Sequence, residues 1–246
     1  MKILLMADSL VGSSIAQWVL HNYPDDLAAL VSIAECDFIV AAREKGIPCF
    51  VFESELQIKE ELSHIAPFDV GVLAWWPKII SSSLISFARI GFINTHPSLL
   101  PHNRGKHYNF WVLVEQVPFG VSLHFVDEGI DSGNIIAQIP ITYDWEDTGG
   151  TLYQKAGQAM IDLFKSTYPN IRNRDIQNVP QNLRDGSVHF ANEIDQASRI
   201  QLDDTYTARE LFNQLRARTF VGKPACTFED NDEIYEITVN IKRKLK

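Results

Sequence analysis

The sequence predicts an α/β chain built on a mostly parallel sheet, with a small α+β extension at its C-terminal end. Three observations carry this. Short apolar runs alternate with helical patterns up to Asn94. Most of those runs are apolar throughout, as strands buried on both faces must be. The charge balance also changes near Pro169: residues 1–169 hold 10 Lys+Arg and 19 Asp+Glu, whereas residues 170–246 hold 12 of each. The expected organisation is therefore a domain over residues 1–169 and an extension over 170–246.

Lys2–Ala7 is an apolar run closed by Asp8 and Ser9, and reads as a buried strand. Ser13–Leu20 reads as a helix that Ser13 or Ser14 can cap. Leu27–Ala34 fits a second buried strand or a helical piece, and Phe38–Lys45 a helix ended by Gly46. Ile47–Phe52 is a third strand, Glu53–Ile65 a charged helix and Asp69–Trp75 a fourth strand. Ser83–Arg89 reads as helical and Gly91–Asn94 as a fifth strand. Beyond it, Asn109–Gln116 is helical, and Phe119–Val126 pairs with Asn134–Ile141 as a hairpin. In Thr148–Tyr168, Leu152, Ala156, Ala159, Met160 and Leu163 recur at helical spacing. Asn170–Asn182 reads as a polar loop and Thr207–Ala217 as a short helix. Ala225–Phe228 and Ile234–Ile241 form a terminal hairpin.

The 246 residues are 46% hydrophobic, enough for a core. A net charge of -9 opposes any partner bound by neutralising phosphates, so no nucleic-acid partner is expected. Cys36, Cys49 and Cys226 are odd in number and form no CxxC pair, which argues against a disulfide framework or a zinc knuckle. No window approaches the roughly 18 apolar residues of a membrane span, and the first residues lack a signal-peptide pattern. A cytoplasmic location without membrane contact is expected. Gly12 is the only glycine between Asp8 and Leu20, so neither a dinucleotide fingerprint nor a P-loop opens the first helix.

The densest polar segment is Gly91–Gly105, GFINTHPSLLPHNRG. Asn94 and His96 stand two residues apart at a strand end, on one side if the strand runs that far. Sites in open α/β sheets lie beyond the carboxyl ends of strands. An amide donor beside an imidazole can face a carbonyl oxygen that gains charge while a proton moves. A proline-rich turn with a capping Asn and a surface His fits the same residues. The second segment, Val126–Gly133 (VDEGIDSG), offers Asp127, Glu128 and Asp131; one carboxylate facing His96 would fix its tautomer, and a loop of solvated acids is the alternative. His96, His102, His107 and His124 do not have zinc-site spacing, so no metal is expected.

These segments resemble the folate-dependent formyltransferase family. The resemblance rests on Asn94-Thr95-His96-Pro97-Ser98-Leu99-Leu100-Pro101, Arg104-Gly105, Ile130-Asp131-Ser132-Gly133 and Asp147-Thr148 with Thr151-Leu152. It implies a Rossmann-like formyltransferase fold and N10-formyltetrahydrofolate as co-substrate. It further implies that Asn94 and His96 stabilise an oxyanion while Asp131 holds His96 and assists proton removal from an amine. Trp75, Trp76, Pro77, Lys78, Ile79 and Ile80 correspond to the family's folate-binding loop, with Asp127 and Ile130 beside it.

The C-terminal residues Thr207-Ala208-Arg209-Glu210-Leu211, Leu215–Phe220 and Lys223-Pro224-Ala225 are similar to the branch that formylates nucleotide-linked amino sugars. That branch implies a dTDP- or GDP-linked acceptor, a product destined for bacterial surface polysaccharide such as O-antigen, and a homodimer. Arg104, Lys106, Asn109, Trp111, His124, Arg216, Phe220 and Lys223 are the acceptor-binding candidates, and Arg218 is a further cation. The alternatives are transfer to methionyl-tRNA or glycinamide ribonucleotide, or a folate- or nucleotide-sugar-binding protein without catalysis.

Overall fold

Ile3–Ala7 forms β1, which is flanked by parallel strands on both edges and has all five residues buried, as in a sheet covered on both faces. The computed structural model describes residues 1–244. After β1 come α1 (Ser9–Asn22), β2 (Leu27–Ser32), α2 (Asp37–Glu44), β3 (Cys49–Val51), α3 (Glu55–Ser63), β4 (Phe68–Ala74), α4 (Ser82–Ile85) and β5 (Ala88–His96). The chain continues through β6 (Arg104–Gly105), α5 (Tyr108–Glu115), β7 (Phe119–Phe125), β8 (Ile135–Ile141) and α6 (Gly149–Asn173). It ends with β9 (Val188–His189), α7 (Glu193–Ala197), α8 (Ala208–Arg218), β10 (Cys226–Asp230) and β11 (Glu233–Ile237). One sheet has the order β3-β2-β1-β4-β5-β7-β8. Strands β1 to β5 pair in parallel, and β7 runs antiparallel to β5. The order reverses between β1 and β4, so the sheet is mixed but mostly parallel, as the apolar runs predict.

Two compact units interleave along the chain. Residues 1–96, 122–138 and 160–181 form the first; residues 97–121, 139–159 and those from 182 onward form the second. The boundary expected at Pro169 therefore coincides with neither unit nor element. Pro169 lies inside α6, which runs on to Asn173. A proline normally ends a helix by removing an N–H and crowding the preceding turn. Here Tyr168 donates to Asp26 at 3.0 Å and Arg172 Nε to the same carboxylate at 2.8 Å. Those bonds, on either side of Pro169, hold the last turns in register.

Other differences have equally local causes. Helix α1 begins at Ser9 rather than Ser13, and Gly12 permits its approach to the sheet: a Cβ there would stand 2.5 Å from the Ala74 carbonyl oxygen. Strand β5 begins at Ala88, because pairing with Phe68 overrides the helical pattern read over Ser83–Arg89.

In the first unit, Asp69 accepts the Lys2 N–H at 2.8 Å and an Arg174 N–H at 3.2 Å, with Arg89 at 3.6 Å. The backbone donor, helped by the two guanidiniums, holds its carboxyl below the usual range despite burial. A depressed folded pKa stabilises above the unfolded value of about 4 and loses that effect as pH falls through the folded value. Asp69→Asn should therefore melt at a lower temperature than wild type at neutral pH. The two melting curves should converge on acidification, a pattern that thermal denaturation followed from neutral to strongly acidic buffer checks.

In the second unit, His189 is stacked on Trp111 at 3.9 Å between ring centroids, and its two nitrogens lie 2.8 Å from Glu115 and 3.0 Å from Glu193. This cluster fixes β9 beside β6. Thr207 and Glu210 form a capping box at the start of α8. Strands β10 and β11 make the terminal hairpin. Among the described residues, no helix is long and apolar enough to cross a membrane, and no cluster of His, Cys, Asp and Glu is arranged to hold a metal ion.

Candidate active site

Strand β5 ends in Asn94-Thr95-His96, and alternation turns Asn94 and His96 to one face and Thr95 to the other. Thr95 Oγ1 donates to the Leu73 carbonyl at 3.0 Å and accepts the Trp75 N–H at 2.7 Å. This hydroxyl fixes the point where the chain leaves β4, since Trp75 takes a left-handed φ of 56°. Its only sequence signal is its place between two singled-out residues.

His124 stands directly opposite Asn94 in the antiparallel register of β5 and β7. Asn94 Nδ2 donates to Asp131 Oδ1 at 3.2 Å and lies 3.3 Å from His124 Nε2. Asp131 Oδ2 lies 3.3 Å from His96 Nδ1, and its Oδ1 lies 3.4 Å from His124 Nε2. His96 and His124 are 4% and 2% exposed, so the carboxylate acts on both rings with little water between. The amide group facing Asp131 must be the NH2, because the amide oxygen would oppose a carboxylate.

The His124 tautomer follows from its other contact. Nδ1 lies 2.7 Å from the Phe125 carbonyl, which can only accept, so Nδ1 carries a proton. Nε2 then accepts from Asn94 when bare and donates to Asp131 when protonated. A proton arriving at Nε2 therefore ends the acceptance from Asn94 and frees an amide hydrogen. His124, expected among the acceptor-binding residues, is a member of this cluster. The signal that could have found it is register: it faces Asn94 across a hairpin whose loop carries Asp131.

That loop is shaped by its own side chains. Asp127 Oδ1 accepts the Gly129 N–H at 3.1 Å and the Ser132 hydroxyl at 2.7 Å. Gly133 has no room for a side chain, since a Cβ would stand 1.9 Å from the Phe125 carbonyl oxygen. Asp127, expected beside the co-substrate, thus has its Oδ1 engaged in forming the turn.

In the segment Trp75–Ile80, Trp76 is buried and meets Phe52 edge to face at 5.4 Å. Trp75 is half-buried, Ile80 buried, and Pro77 and Lys78 exposed. Ile79 is 92% exposed and Ile130 40%. Trp76 Nε1 is buried without a hydrogen-bond partner among the described residues. A flat, partly apolar ligand suits this stretch, because it would cover the exposed Ile79 side chain. The residues fit a folate.

The acceptor candidates separate. Asn109, Phe220 and Lys223 line one cavity of about 470 Å³ in the second unit, with His107, Tyr153 and Arg218. Burial pushes the His107 pKa down, so at neutral pH the cavity's positive charge comes from Arg218 and Lys223. Arg218 donates to Asp195 at 3.2 Å, while its Nε is buried without a partner among the described residues. Arg216 is not part of this group. It is 4% exposed, its guanidinium is engaged by the Asp144 and Asp147 carbonyls and Asn213, and Trp145 lies under it at 4.8 Å. It anchors α8 and has no surface to offer a diphosphate. Trp111 is occupied by its stack on His189. Arg104 is half-buried in β6, and Lys106 is exposed.

Residues 22–166, more than half of the chain, match the model described as formyl transferase. Residues 193–243 match an N-formyltransferase dimerization C-terminal domain. A methionyl-tRNA formyltransferase of Bacillus pumilus is 32% identical over 180 residues, which are 72% of this chain and 56% of that protein. The chain thus spans little more than half the length of this curated relative. A sugar N-formyltransferase structure from a Shewanella species superposes with a TM-score of 0.79 at 21% identity, covering 100% of this chain and 99% of that one. An N-formyltransferase of Helicobacter canadensis, solved with folinic acid and dTDP-3-aminofucose, gives a TM-score of 0.74 at 22% identity over 94% of this chain and 85% of that one.

Proposed function

Because the chain belongs to the formyltransferase family, we propose that it transfers the formyl group of N10-formyltetrahydrofolate to the amine of a nucleotide-linked amino sugar. The observation that carries the transfer is the convergence of Asn94, His96, His124 and Asp131 through one carboxylate. When bound, the folate supplies the formyl carbon, held by the Trp75–Ile80 segment with Ile130 beside it.

The protein's own groups divide the remaining work. A primary amine attacks only as the free base, so its proton must be taken up during bond formation. His96, oriented through Nδ1 by Asp131, accepts that proton and returns it to the departing folate nitrogen as the formyl bond to it breaks, so the transfer is proton-neutral. Asn94 donates an amide hydrogen to the formyl oxygen, where negative charge develops. In the resting site that amide is shared between Asp131 and His124. The hydrogen held by His124 Nε2 in the resting site is the one free to turn to the formyl oxygen, while the other keeps Asp131 in place.

The acceptor class is supported by the cavity of the second unit. Arg218 and Lys223 suit a diphosphate, and Phe220 suits a base or sugar face. The net charge of -9 opposes binding of a whole tRNA. Methionyl-tRNA is the second reading, favoured by the identity to the Bacillus pumilus protein. Pairing of two copies through residues 193–243 is part of the proposal.

The test is a screen of dTDP-, GDP- and UDP-linked amino sugars with N10-formyltetrahydrofolate, read by product mass. One sugar nucleotide should gain a formyl group. In Lys223→Ala its KM should rise by about tenfold, as loss of one charge-assisted contact implies, with the folate KM unchanged. No product from any sugar nucleotide would refute the assignment.

A further inference from the structure

We propose that Gln181 is a positioning residue for the Asp131 carboxylate. The proposal rests on the reading of Asn94, His96 and Asp131 as the formyl-transfer site. Asp131 has a φ of 47°, a left-handed backbone that a non-glycine residue keeps only when its surroundings impose it. Gln181 Nε2 donates to the Asp131 carbonyl at 2.9 Å and to the Gly133 carbonyl at 2.7 Å. Both amide hydrogens thus fasten the loop on either side of Ser132. The side chain can face only one way, because an inverted amide would set its oxygen against two carbonyl oxygens.

In that orientation Gln181 Oε1 is buried and has no hydrogen-bond partner among the described residues. The two carbonyls it grips belong to Asp131 itself and to Gly133, so its hold falls directly on the backbone that carries the carboxylate. Gln181 is itself held close by. Ile135 N–H donates to the Val179 carbonyl at 2.8 Å, and Val179 N–H returns to Ile135 at 3.0 Å. The segment after α6 therefore bonds to the start of β8 and delivers Gln181 two residues later.

The geometry that depends on this hold is tight. One carboxylate serves two imidazoles and an amide at 3.2 to 3.4 Å. Release of its backbone into a relaxed φ would carry it out of reach of at least one of them. A misplacement of about 1 Å in such a constellation costs up to a hundredfold in rate.

Two variants keep the side-chain length and change only the donors: Gln181→Met removes them, and Gln181→Glu replaces them with an acceptor. The readouts are kcat and KM, with the ring-nitrogen NMR chemical shifts of His96 and His124 in the resting protein, which do not depend on turnover. Both variants should lose at least about tenfold in kcat, with KM values within about threefold of wild type. The ring-nitrogen shifts should change, because they report the hydrogen bonds and tautomers that the Asp131 carboxylate fixes. Unchanged shifts overturn the proposal, whatever happens to the melting temperature. Altered shifts with wild-type kcat overturn it too. If the wild-type protein forms no formylated product, the functional reading fails, and the ring-nitrogen shifts alone decide whether Gln181 positions Asp131.

Discussion

Asp131→Asn should lower kcat for formyl transfer by about 10²- to 10⁴-fold, while folate and acceptor still bind. The size follows from how many jobs the carboxylate has. It orients His96 through Nδ1, it faces His124 Nε2, and it accepts from Asn94. Asparagine keeps the shape but removes the charge, and it presents an NH2 where an imidazole N–H or the Asn94 amide needs an acceptor. The imidazolium formed on proton uptake then has no counter-charge in a site that is nearly closed to water. The loss should fall on kcat and leave KM nearly unaltered, since Asp131 acts on the proton rather than on binding. Steady-state kinetics with both substrates checks the split.

Asn94→Ala should cost about 10²- to 10³-fold in kcat, the usual effect of removing one oxyanion donor. The Asn94 amide also donates to Asp131, so part of the loss comes from a loosened carboxylate. His124→Phe separates the two contributions. It leaves Asn94 and Asp131 in contact but removes the ring that holds the other amide hydrogen in the resting site. Its kcat should fall less than that of Asn94→Ala. A His124→Phe loss equal to the Asn94→Ala loss would mean that His124 does more than hold the Asn94 amide in the resting site.

Much of this site is legible in the chain itself. Asn94 and His96 stand out because strand alternation fixes their common face, and the Asp131 loop stands out because its acids sit between two strand patterns. The mostly parallel sheet is readable from runs such as Ile3–Ala7, where no residue offers a polar face. Three features are not readable, each for a physical reason. His124 joins the cluster through antiparallel register, which links residues 30 positions apart. Arg216 looks like a diphosphate ligand by composition, but tertiary burial commits it to two backbone carbonyls. The helical continuation through Pro169 depends on Asp26, 142 residues from Tyr168. Local propensity governs where no distant partner competes, and distant partners decide these three.

The most direct test of the central claim is a competition. The protein receives limiting N10-formyltetrahydrofolate labelled in the formyl carbon, together with equal concentrations of methionyl-tRNA and the amino-sugar nucleotide found in the product-mass screen. Separation of the products shows where the label has gone. Label on the sugar amine, with methionyl-tRNA unmarked, is the result predicted. Label on methionyl-tRNA, with the sugar nucleotide unmarked, would contradict the account.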